Sequence, residues 1–225
     1  MAEPWLRAIQ QSQDEVVRRG PHPHYLNAYR AQELSYWRHV PAWIWEDWAS
    51  RPVNRCLDIG CAYGTLALFA KEVLGCPVYC TDWTDRATNP RLVSEHGLRF
   101  EVNNIELDPF PWDLAFDVII FTEVLEHLNF HPLPTLKKIA GLLTGAGRLY
   151  VSTPDAREWG RASYYESYRE MPLPSSKASL VDDHVCLFTA DELVEVAREA
   201  GLEVHRLDYS PGVSARHLNL TFGRN

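Results

Sequence analysis

The stretch CLDIGCAYGTLALFAKEVLG, residues 56–75, decides the fold. It begins with a short apolar run, passes through a turn that contains Gly60 and Gly64, and continues with apolar residues at helical spacing. A buried strand, a glycine-containing turn and a helix form the first unit of an open α/β sheet, and glycine lets the backbone approach a ligand closely. The stretch therefore indicates a ligand-binding crevice at the carboxyl end of the first strand.

Six further strands follow at spacings that leave room for connecting helices. Short apolar strands that alternate with crossover segments are typical of a parallel sheet with helices on both faces. The predicted strands are PVYCT 77–81, LRFEV 98–102, FDVIIF 116–121, GRLYVS 147–152, LEVHRLDY 202–209 and RHLNLTF 216–222. The chain is therefore predicted to be an α/β protein with a seven-stranded sheet.

The chain divides into an N-terminal helical cap, residues 1–53, and a main domain, residues 54–225. Within the main domain, residues 155–184 interrupt the alternation of strands and helices with a polar and aromatic segment. Because this segment is too long for an ordinary connection, we expect an inserted loop or lid over a substrate. Its Tyr164, Tyr165, Tyr168 and Arg169 are candidates for contact with that substrate.

The cap is predicted to contain two helices, residues 4–19 and 28–50, separated by the helix-breaking sequence GPHPHY, residues 20–25. The second helix is rich in tryptophan and tyrosine, which either pack against the domain or line a substrate pocket. A later helix is marked by a capping box of Thr189 and Glu192. His131, followed by a proline, is predicted to be a loop residue.

Composition restricts the class of function. The 225 residues are 46% hydrophobic, and 22 basic against 30 acidic residues give a net charge of −8. This charge argues against tight binding to long nucleic acid, which depends on a basic surface.

The five cysteines form no CxxC pair and are expected to be buried reduced thiols. No apolar run approaches the roughly 20 residues that span a bilayer, so we expect no membrane span and a cytoplasmic location. The sequence predicts no oligomeric state.

Two acids at strand ends distinguish between possible cofactors. Asp58 precedes Gly60 by two residues, and Asp82 ends the next strand. A dinucleotide would place its pyrophosphate on the helix after the glycines, where Asp58 would repel it, which argues against a nucleotide-binding oxidoreductase. S-adenosylmethionine has no phosphate, and its ammonium group and ribose diol are served by acceptors. We expect Asp58 to receive the methionyl end, Asp82 both ribose hydroxyls, and Trp83 the adenine face.

The ordered motifs resemble those of the class I S-adenosylmethionine-dependent methyltransferases over about residues 54–209. LDIGCAYG resembles their first motif, with Ala62 where a middle glycine is common, and Asp82 matches the acid of their second strand. EVNNIELDPFPWDLAFDVI resembles their third-strand loop, where the residue matching Asn104 bonds the adenine amine and Ile105 lies beside the base. The family more often has aspartate at the position of Asn104. EVLEHL and GRLYVSTPD resemble the later motifs.

This resemblance implies a Rossmann-like sheet, mostly parallel with an antiparallel last strand. The cofactor is then S-adenosyl-L-methionine. The residues expected to bind it are Asp58, Gly60, Cys61, Ala62, Gly64, Asp82, Trp83, Asn104, Ile105 and Thr122.

The stretch FTEVLEHLNFH, residues 121–131, places Glu123, Glu126 and His127 at positions i, i+3 and i+4, which share one face of a helix. Three interpretations remain open. The motif is a structural signature, or His127 is a general base, or the three residues bind a divalent cation with a distal histidine. The last pattern resembles ubiquinone-pathway O-methyltransferases and small-RNA 3′-terminal 2′-O-methyltransferases, and DDHVCLFT supplies Asp183 and His184 for it. The candidate metal ligands are therefore Glu123, Glu126, His127 and His184, and the candidate catalytic residues are Glu126, His127 and His184.

The expected function is methyl transfer from S-adenosylmethionine to a small-molecule acceptor, chiefly a hydroxyl oxygen, with possible help from Mg²⁺, Mn²⁺, Fe²⁺ or Zn²⁺. The alternatives are a metal-free N-methyltransferase, 2′-O-methylation of an RNA terminus, and a non-catalytic subunit that binds S-adenosylmethionine. A pure scaffold has no need of the whole Glu-x-x-Glu-His motif, which favours an enzyme.

Overall fold

The computed structural model describes residues 3–162 and 164–225. One seven-stranded sheet with the order β3-β2-β1-β4-β5-β7-β6 forms its centre. The strands are β1 Cys56–Ile59, β2 Val78–Asp82, β3 Arg99–Val102, β4 Phe116–Thr122, β5 Leu143–Pro154, β6 Leu202–Ser210 and β7 His217–Arg224. Strand β7 is antiparallel to both of its neighbours, β5 and β6, and the pairings among β1, β2, β3, β4 and β5 are parallel. The predicted Rossmann-like sheet with an antiparallel last strand is confirmed.

Helices cover both faces of this sheet. The α-helices are α1 Pro4–Arg18, α2 Arg30–Tyr36, α3 His39–Trp48, α4 Thr65–Leu74, α5 Pro90–Glu95, α6 Pro132–Leu142, α7 Ala156–Trp159 and α8 Ala190–Glu199. A π-helix covers Tyr25–Tyr29, and short 3₁₀ helices cover Leu125–His127 and Tyr168–Glu170. No helix of the described residues is both long enough and apolar enough to cross a bilayer.

The alternation of side chains along the buried strands creates two cores. In β4, Ile119 and Phe121 face the core that contains residues of α6 and α8. Their neighbours Val118 and Ile120 face the core that contains residues of α1, α3 and α4. Because successive side chains of a strand point to opposite faces, both faces of β4 need apolar residues, and all seven of its residues are buried. The helical cap therefore shares a core with the sheet on the α4 side.

The predicted cap helix 28–50 is not continuous, and that prediction was wrong. The backbone leaves the helical region at Trp37, and α3 begins at His39. Pro41 explains the break, because its ring has no N–H to donate inside a helix, whereas the first turn of a new helix tolerates it. The preceding chain is also wound as a π-helix, which brings Tyr29 towards the sheet.

Three local predictions concern the α8 cap, His131 and the cysteines. Thr189 and Glu192 form the capping box of α8, as predicted. His131 is more than a loop residue, because its Nδ1 atom accepts a hydrogen bond from the backbone N–H of Leu133 and caps α6. All five cysteines are free and buried.

Candidate active site

A cavity of about 260 Å³ lies at the carboxyl ends of β1, β2 and β4. Open α/β sheets bind ligands at this edge, where the strand order reverses between β1 and β4. The cavity is lined by most of the residues predicted to bind a cofactor, namely Gly60, Ala62, Asp82, Trp83, Asn104, Ile105 and Thr122.

The turn after β1 has the tight backbone that its glycines suggested. Gly60 has a φ of 75°, and a Cβ atom on it would lie 2.1 Å from the Cγ2 atom of Val124. Gly64, with a φ of 83°, precedes the first residue of α4. Ala62 stands where the related family commonly has glycine, and it also adopts a positive φ, 43°. Its conformation is stabilised by a 3.0 Å hydrogen bond from its N–H to Oδ2 of Asp82.

Asp82 lies at the end of β2 with Trp83 beside it. The Asp82 carboxylate also accepts a longer bond of 3.4 Å from the N–H of Thr84. Burial raises the pKa of this carboxyl, while the backbone N–H groups of Ala62 and Thr84 lower it. The Trp83 side chain is 46% exposed at the rim of the cavity, which is unusual for so large an apolar group. The Asp82 carboxylate, which can accept hydrogen bonds from ribose hydroxyls, thus lies next to the exposed Trp83 ring, against which an adenine could pack.

Asp58 is buried inside the end of β1, 2% exposed, and its Oδ2 atom has no hydrogen-bond partner among the described residues. Burial and the nearby charge of Asp82 raise its pKa to about 7. An orphaned buried carboxylate oxygen is costly unless a ligand donates to it. Asp58 therefore suits a cationic ligand group, and it lines a second, small recess.

Asn104 has a role that the sequence did not predict. Its side-chain oxygen accepts hydrogen bonds from the N–H groups of Glu106 and Leu107, at 3.0 and 3.2 Å, and so holds its own turn. The amide still lies in the cavity wall beside the buried Ile105. Cys61, in contrast, lies in the lining of the neighbouring recess and not of the main cavity.

Glu123 does not lie on a helix, so the expectation of a shared helical face for Glu123, Glu126 and His127 was wrong. Only Leu125–His127 are helical, in a single 3₁₀ turn, and Glu123 has a left-handed φ of 54°. The strand simply ends in a sharp turn there. Residues of this kind in a strained conformation cluster at functional sites.

The Glu123 carboxylate points towards two partners from neighbouring strands. Its Oε1 atom accepts a 2.7 Å hydrogen bond from the hydroxyl of Ser152. Its Oε2 atom lies 2.9 Å from Nδ1 of His217, a close contact without good hydrogen-bond alignment. The buried His217 ring lies between Tyr36, at 4.6 Å, and Trp159, at 5.5 Å between ring centroids. Glu123 therefore lines the cavity, and Ser152 and His217 contact its carboxylate.

The other three predicted ligands come together. Glu126, His127 and His184 each offer one ligand atom, and these atoms all lie within 4.8 Å of one another, whereas Glu123 is not part of this group. Glu126 is 1% exposed and accepts a 2.9 Å hydrogen bond from the hydroxyl of Thr153. Burial, and then the charge of Glu123, raise the pKa of Glu126 well above its ordinary value. Burial and the neighbouring His127 lower the pKa of His184.

Segments far away in the sequence complete the site, and local patterns did not reveal them. Tyr29 of the cap and residues 180–182 of the insertion line the cavity. Asn129 attaches this part of the insertion, because its side chain accepts from the N–H of Val181 at 2.7 Å and donates to its carbonyl at 3.1 Å. His217 arrives from the first residue of β7.

The aromatic part of the insertion does not line the cavity, and its expected contact with the substrate stays a prediction. Tyr168 is 2% exposed and packs in the core against Phe188. Arg169 forms an ion pair with Glu195 of α8. Neither residue lines the cavity, nor does Tyr164 or Tyr165. The insertion contributes residues 180–182 to the lining, close to its last residue, His184.

The sheet order, the glycine turn after β1 and the acid at the end of β2 define a class I S-adenosylmethionine-dependent methyltransferase. A family profile described as Methyltransferase domain matches residues 27–207, and the chain belongs to this family. The matched range includes Tyr29 of the cap together with every residue predicted for the site.

Several solved structures are similar to this chain. The 1,6-didemethyltoxoflavin-N1-methyltransferase of Burkholderia thailandensis, with bound 1,6-didemethyltoxoflavin and S-adenosylhomocysteine, is 19% identical, and the match covers 100% of this chain and 92% of that one with a TM-score of 0.65. The N-methyltransferase NodS of Bradyrhizobium japonicum WM9, in complex with S-adenosylhomocysteine, is 17% identical, with coverages of 96% and 98% and a TM-score of 0.57. The cyclase SpnF is 17% identical, with coverages of 84% and 86% and a TM-score of 0.58. No curated protein matches the sequence.

At these identities the likeness concerns the fold alone. The similar structures include N-methyltransferases and a cyclase, so one fold serves several reactions. The methyl acceptor of this chain therefore has to be argued from its own side chains.

Proposed function

We propose that this methyltransferase moves the methyl group of S-adenosylmethionine to a hydroxyl oxygen of a small-molecule acceptor. The observation that carries the proposal is the group of Glu126, His127 and His184 beside the cofactor cavity. A hydroxyl has to lose its proton to become a good nucleophile, and this group offers acceptors for that proton.

S-adenosylmethionine needs little activation by the protein to donate its methyl group. The sulfonium leaves as a neutral thioether when the acceptor attacks the methyl carbon in line, so the protein aligns the two reactants and keeps water away. Tyr29 of the cap and residues 180–182 of the insertion line the cavity, where they occupy space that water would otherwise fill.

His127 is arranged as a proton acceptor. Its Nδ1 atom lies 3.0 Å from the backbone carbonyl oxygen of Asp183. A carbonyl only accepts, so Nδ1 carries the proton, and Nε2 of the neutral ring keeps its lone pair. Burial, and then the neighbouring His127, lower the pKa of His184, which favours the neutral form of that imidazole. Either ring can thus take a proton from an acceptor hydroxyl.

The same three side chains fit a divalent cation. Glu126 and the two imidazoles form an oxygen and nitrogen donor set, the His127 ring is oriented by a backbone carbonyl, and the buried Glu126 carboxylate lacks a positive partner. An ion bound there supplies Lewis acidity that lowers the pKa of the acceptor hydroxyl. The ion would replace the histidine bases, because a nitrogen lone pair that binds a cation cannot also take a proton. Glu126, His127 and His184 would then hold the ion, and Glu123 stays with Ser152 and His217.

Nitrogen is the second candidate acceptor. The similar structures from Burkholderia thailandensis and Bradyrhizobium japonicum are N-methyltransferases by name. A neutral amine attacks with its own lone pair and releases its proton only after the methyl group has been transferred, so a buried carboxylate with two histidines would be more than such a reaction requires. The net charge of −8 speaks against tight binding to long nucleic acid and says little about a single nucleotide at the end of an RNA strand.

The test is transfer of an isotopically labelled methyl group from S-adenosylmethionine to two panels of small molecules, one of phenols and catechols and one of amines. We expect labelled products from the hydroxyl panel. The assay is repeated after EDTA treatment and dialysis, and again after readdition of Mg²⁺, Mn²⁺, Fe²⁺ or Zn²⁺. Full activity in the stripped protein contradicts the metal, and labelling of amines alone contradicts the oxygen acceptor.

A further inference from the structure

A small recess of about 20 Å³ adjoins the cofactor cavity. The two spaces share Tyr29, Gly60, Ala62 and Thr122 in their walls. The recess lies between the cap and the first strand, since Glu33 of α2 and Asp58 of β1 both line it. It therefore continues the cavity towards the place where the cap meets the sheet.

Glu33 is an unusual residue for this position, because it is a carboxylate with an exposure of only 2%. Its Oε2 atom accepts hydrogen bonds from Nε2 of Gln13 at 2.8 Å and from the hydroxyl of Tyr25 at 3.2 Å. A carboxylate has about four lone-pair sites, so these two bonds leave capacity for a ligand. Gln13 and Tyr25, which both belong to the cap, therefore fix the position of the Glu33 carboxylate.

The recess contains two acids and lacks a cation. Burial raises the pKa of Glu33 to about 7, as it does for Asp58. Among the described residues, the lining of the recess includes no lysine, arginine or histidine. Asp58 also keeps one buried oxygen without a partner. Buried carboxylates are normally paired, so this arrangement calls for a positive group from outside the chain.

The size of the recess restricts that group. A cavity needs a volume of roughly 10–15 Å³ to hold one water molecule. The recess, with about 20 Å³, therefore admits one group of about the size of a water molecule. An ammonium group is comparable in size to water and donates three hydrogen bonds. The adenosine part of the cofactor is far too large for the recess and belongs in the main cavity.

We infer that the recess takes the ammonium group of the cofactor's methionyl end, and that Glu33 of the cap binds it together with Asp58. This inference rests on the proposed use of S-adenosylmethionine. The sequence motifs indicated Asp58 alone, and Glu33 supplies the second carboxylate from a separate segment. Bound cofactor then ties α2 of the cap to β1 of the sheet through one charged group.

The experiment compares two ligands by isothermal titration calorimetry. S-adenosylhomocysteine carries the ammonium, whereas 5′-methylthioadenosine keeps the nucleoside and the thioether and has no amino acid. We expect Glu33→Gln to raise the Kd of S-adenosylhomocysteine about tenfold or more, because a charge-assisted bond is replaced by a neutral one. The Kd of 5′-methylthioadenosine should stay within about twofold. Glu46→Gln, an exposed change in α3 of the same cap, is the matched control and should alter neither value.

The possible outcomes are distinct. An unchanged Kd for S-adenosylhomocysteine in Glu33→Gln overturns the inference, as does an equal loss for both ligands, which indicates a loosened cap. If the wild-type protein binds neither ligand, the proposed function itself fails, and the inference fails with it. Should Glu33→Gln not fold, deaminated S-adenosylhomocysteine replaces it as the probe on the wild-type protein. That analogue should bind about tenfold more weakly than S-adenosylhomocysteine, and equal binding overturns the inference.

Discussion

The Nδ1 atom of His127 lies 3.0 Å from the backbone carbonyl oxygen of Asp183, so that one end of the insertion fixes the imidazole on the opposite side of the site. The contact joins the turn after β4 to a segment 56 residues further along the chain. It selects the tautomer in which Nε2 is free, and it brings His184 next to His127, with the ring centroids 4.9 Å apart.

This contact suggests a pair of variants that separates the two nitrogen atoms of His127. In His127→Asn the amide N–H can still donate to the carbonyl of Asp183, but no atom replaces Nε2. We expect methyl transfer to fall by about 10²–10⁴-fold with an unchanged Kd for S-adenosylhomocysteine. His205→Asn, an exposed change on β6, is the control. Wild-type rates in His127→Asn would show that Nε2 does no chemistry.

Asp82 is predicted to hold the ribose hydroxyls. Asp82→Asn replaces a charged acceptor by a neutral amide, and each charge-assisted hydrogen bond contributes about 1.5–3 kcal/mol. We therefore expect at least a tenfold weaker binding of S-adenosylhomocysteine in calorimetry, with a melting temperature close to that of the wild type. Asp85→Asn changes an exposed acid of the same loop and should have no effect. Equal affinities in both variants would remove Asp82 from the cofactor site.

Gly60 and Gly141 form a matched pair of glycines with opposite expected outcomes. A Cβ atom on Gly60 would overlap with Val124, and its φ of 75° disfavours any side chain, so Gly60→Ala should lower both stability and cofactor affinity. Gly141 lies inside α6 with no atom within 4 Å of its added Cβ, so Gly141→Ala should stabilise the fold by about 0.5–1 kcal/mol. Thermal melting of both variants checks this, and a harmless Gly60→Ala would contradict the close approach of Val124.

Glu33 should make the stability of the cofactor-free protein depend on pH. Its folded pKa of about 7 lies above the ordinary value of 4.5, so its contribution is fully present below pH 4.5 and is lost as the pH rises through 7. A difference of roughly 2.5 pKa units corresponds to about 3 kcal/mol. Glu33→Gln cannot ionise, and its melting temperature relative to wild type should therefore be several degrees higher at pH 8 than at pH 5.

The pH series has its own control in Glu46→Gln, whose exposed side chain should give the same difference from wild type at both values. A Glu33→Gln curve parallel to the wild-type curve from pH 5 to pH 8 would mean that Glu33 keeps its charge in the folded protein.

Local sequence patterns predicted the framework of the fold because they reflect local physics. Alternation and apolar runs identified the seven strands, and Thr189 with Glu192 identified the start of α8, since these signals lie within a few residues of one another. The glycine turn and Asp82 were found for the same reason. Both lie directly after a strand, and the carboxyl ends of neighbouring parallel strands meet at one edge.

The remaining features depend on contacts that no local pattern encodes. His217 meets Glu123 only because β7 pairs with β5. Glu33 and Asp58 line one recess only because the cap packs against α4, which follows β1. The left-handed turn at Glu123 was missed because the spacing of Glu123, Glu126 and His127 also fits a helix. The insertion was expected to reach the substrate through its tyrosines, but Tyr168 is needed in the core.

A crystal structure with S-adenosylhomocysteine and Mn²⁺, with anomalous data collected for manganese, tests the central claim most directly. The account predicts the ribose on Asp82, the ammonium between Glu33 and Asp58, the sulfur facing the side of the cavity that holds His127, and an anomalous peak among Glu126, His127 and His184. Cofactor density in another place, or a sulfur atom that faces away from His127, would contradict the account. The cofactor in its predicted place without an anomalous peak would leave the methyltransferase intact and remove the metal.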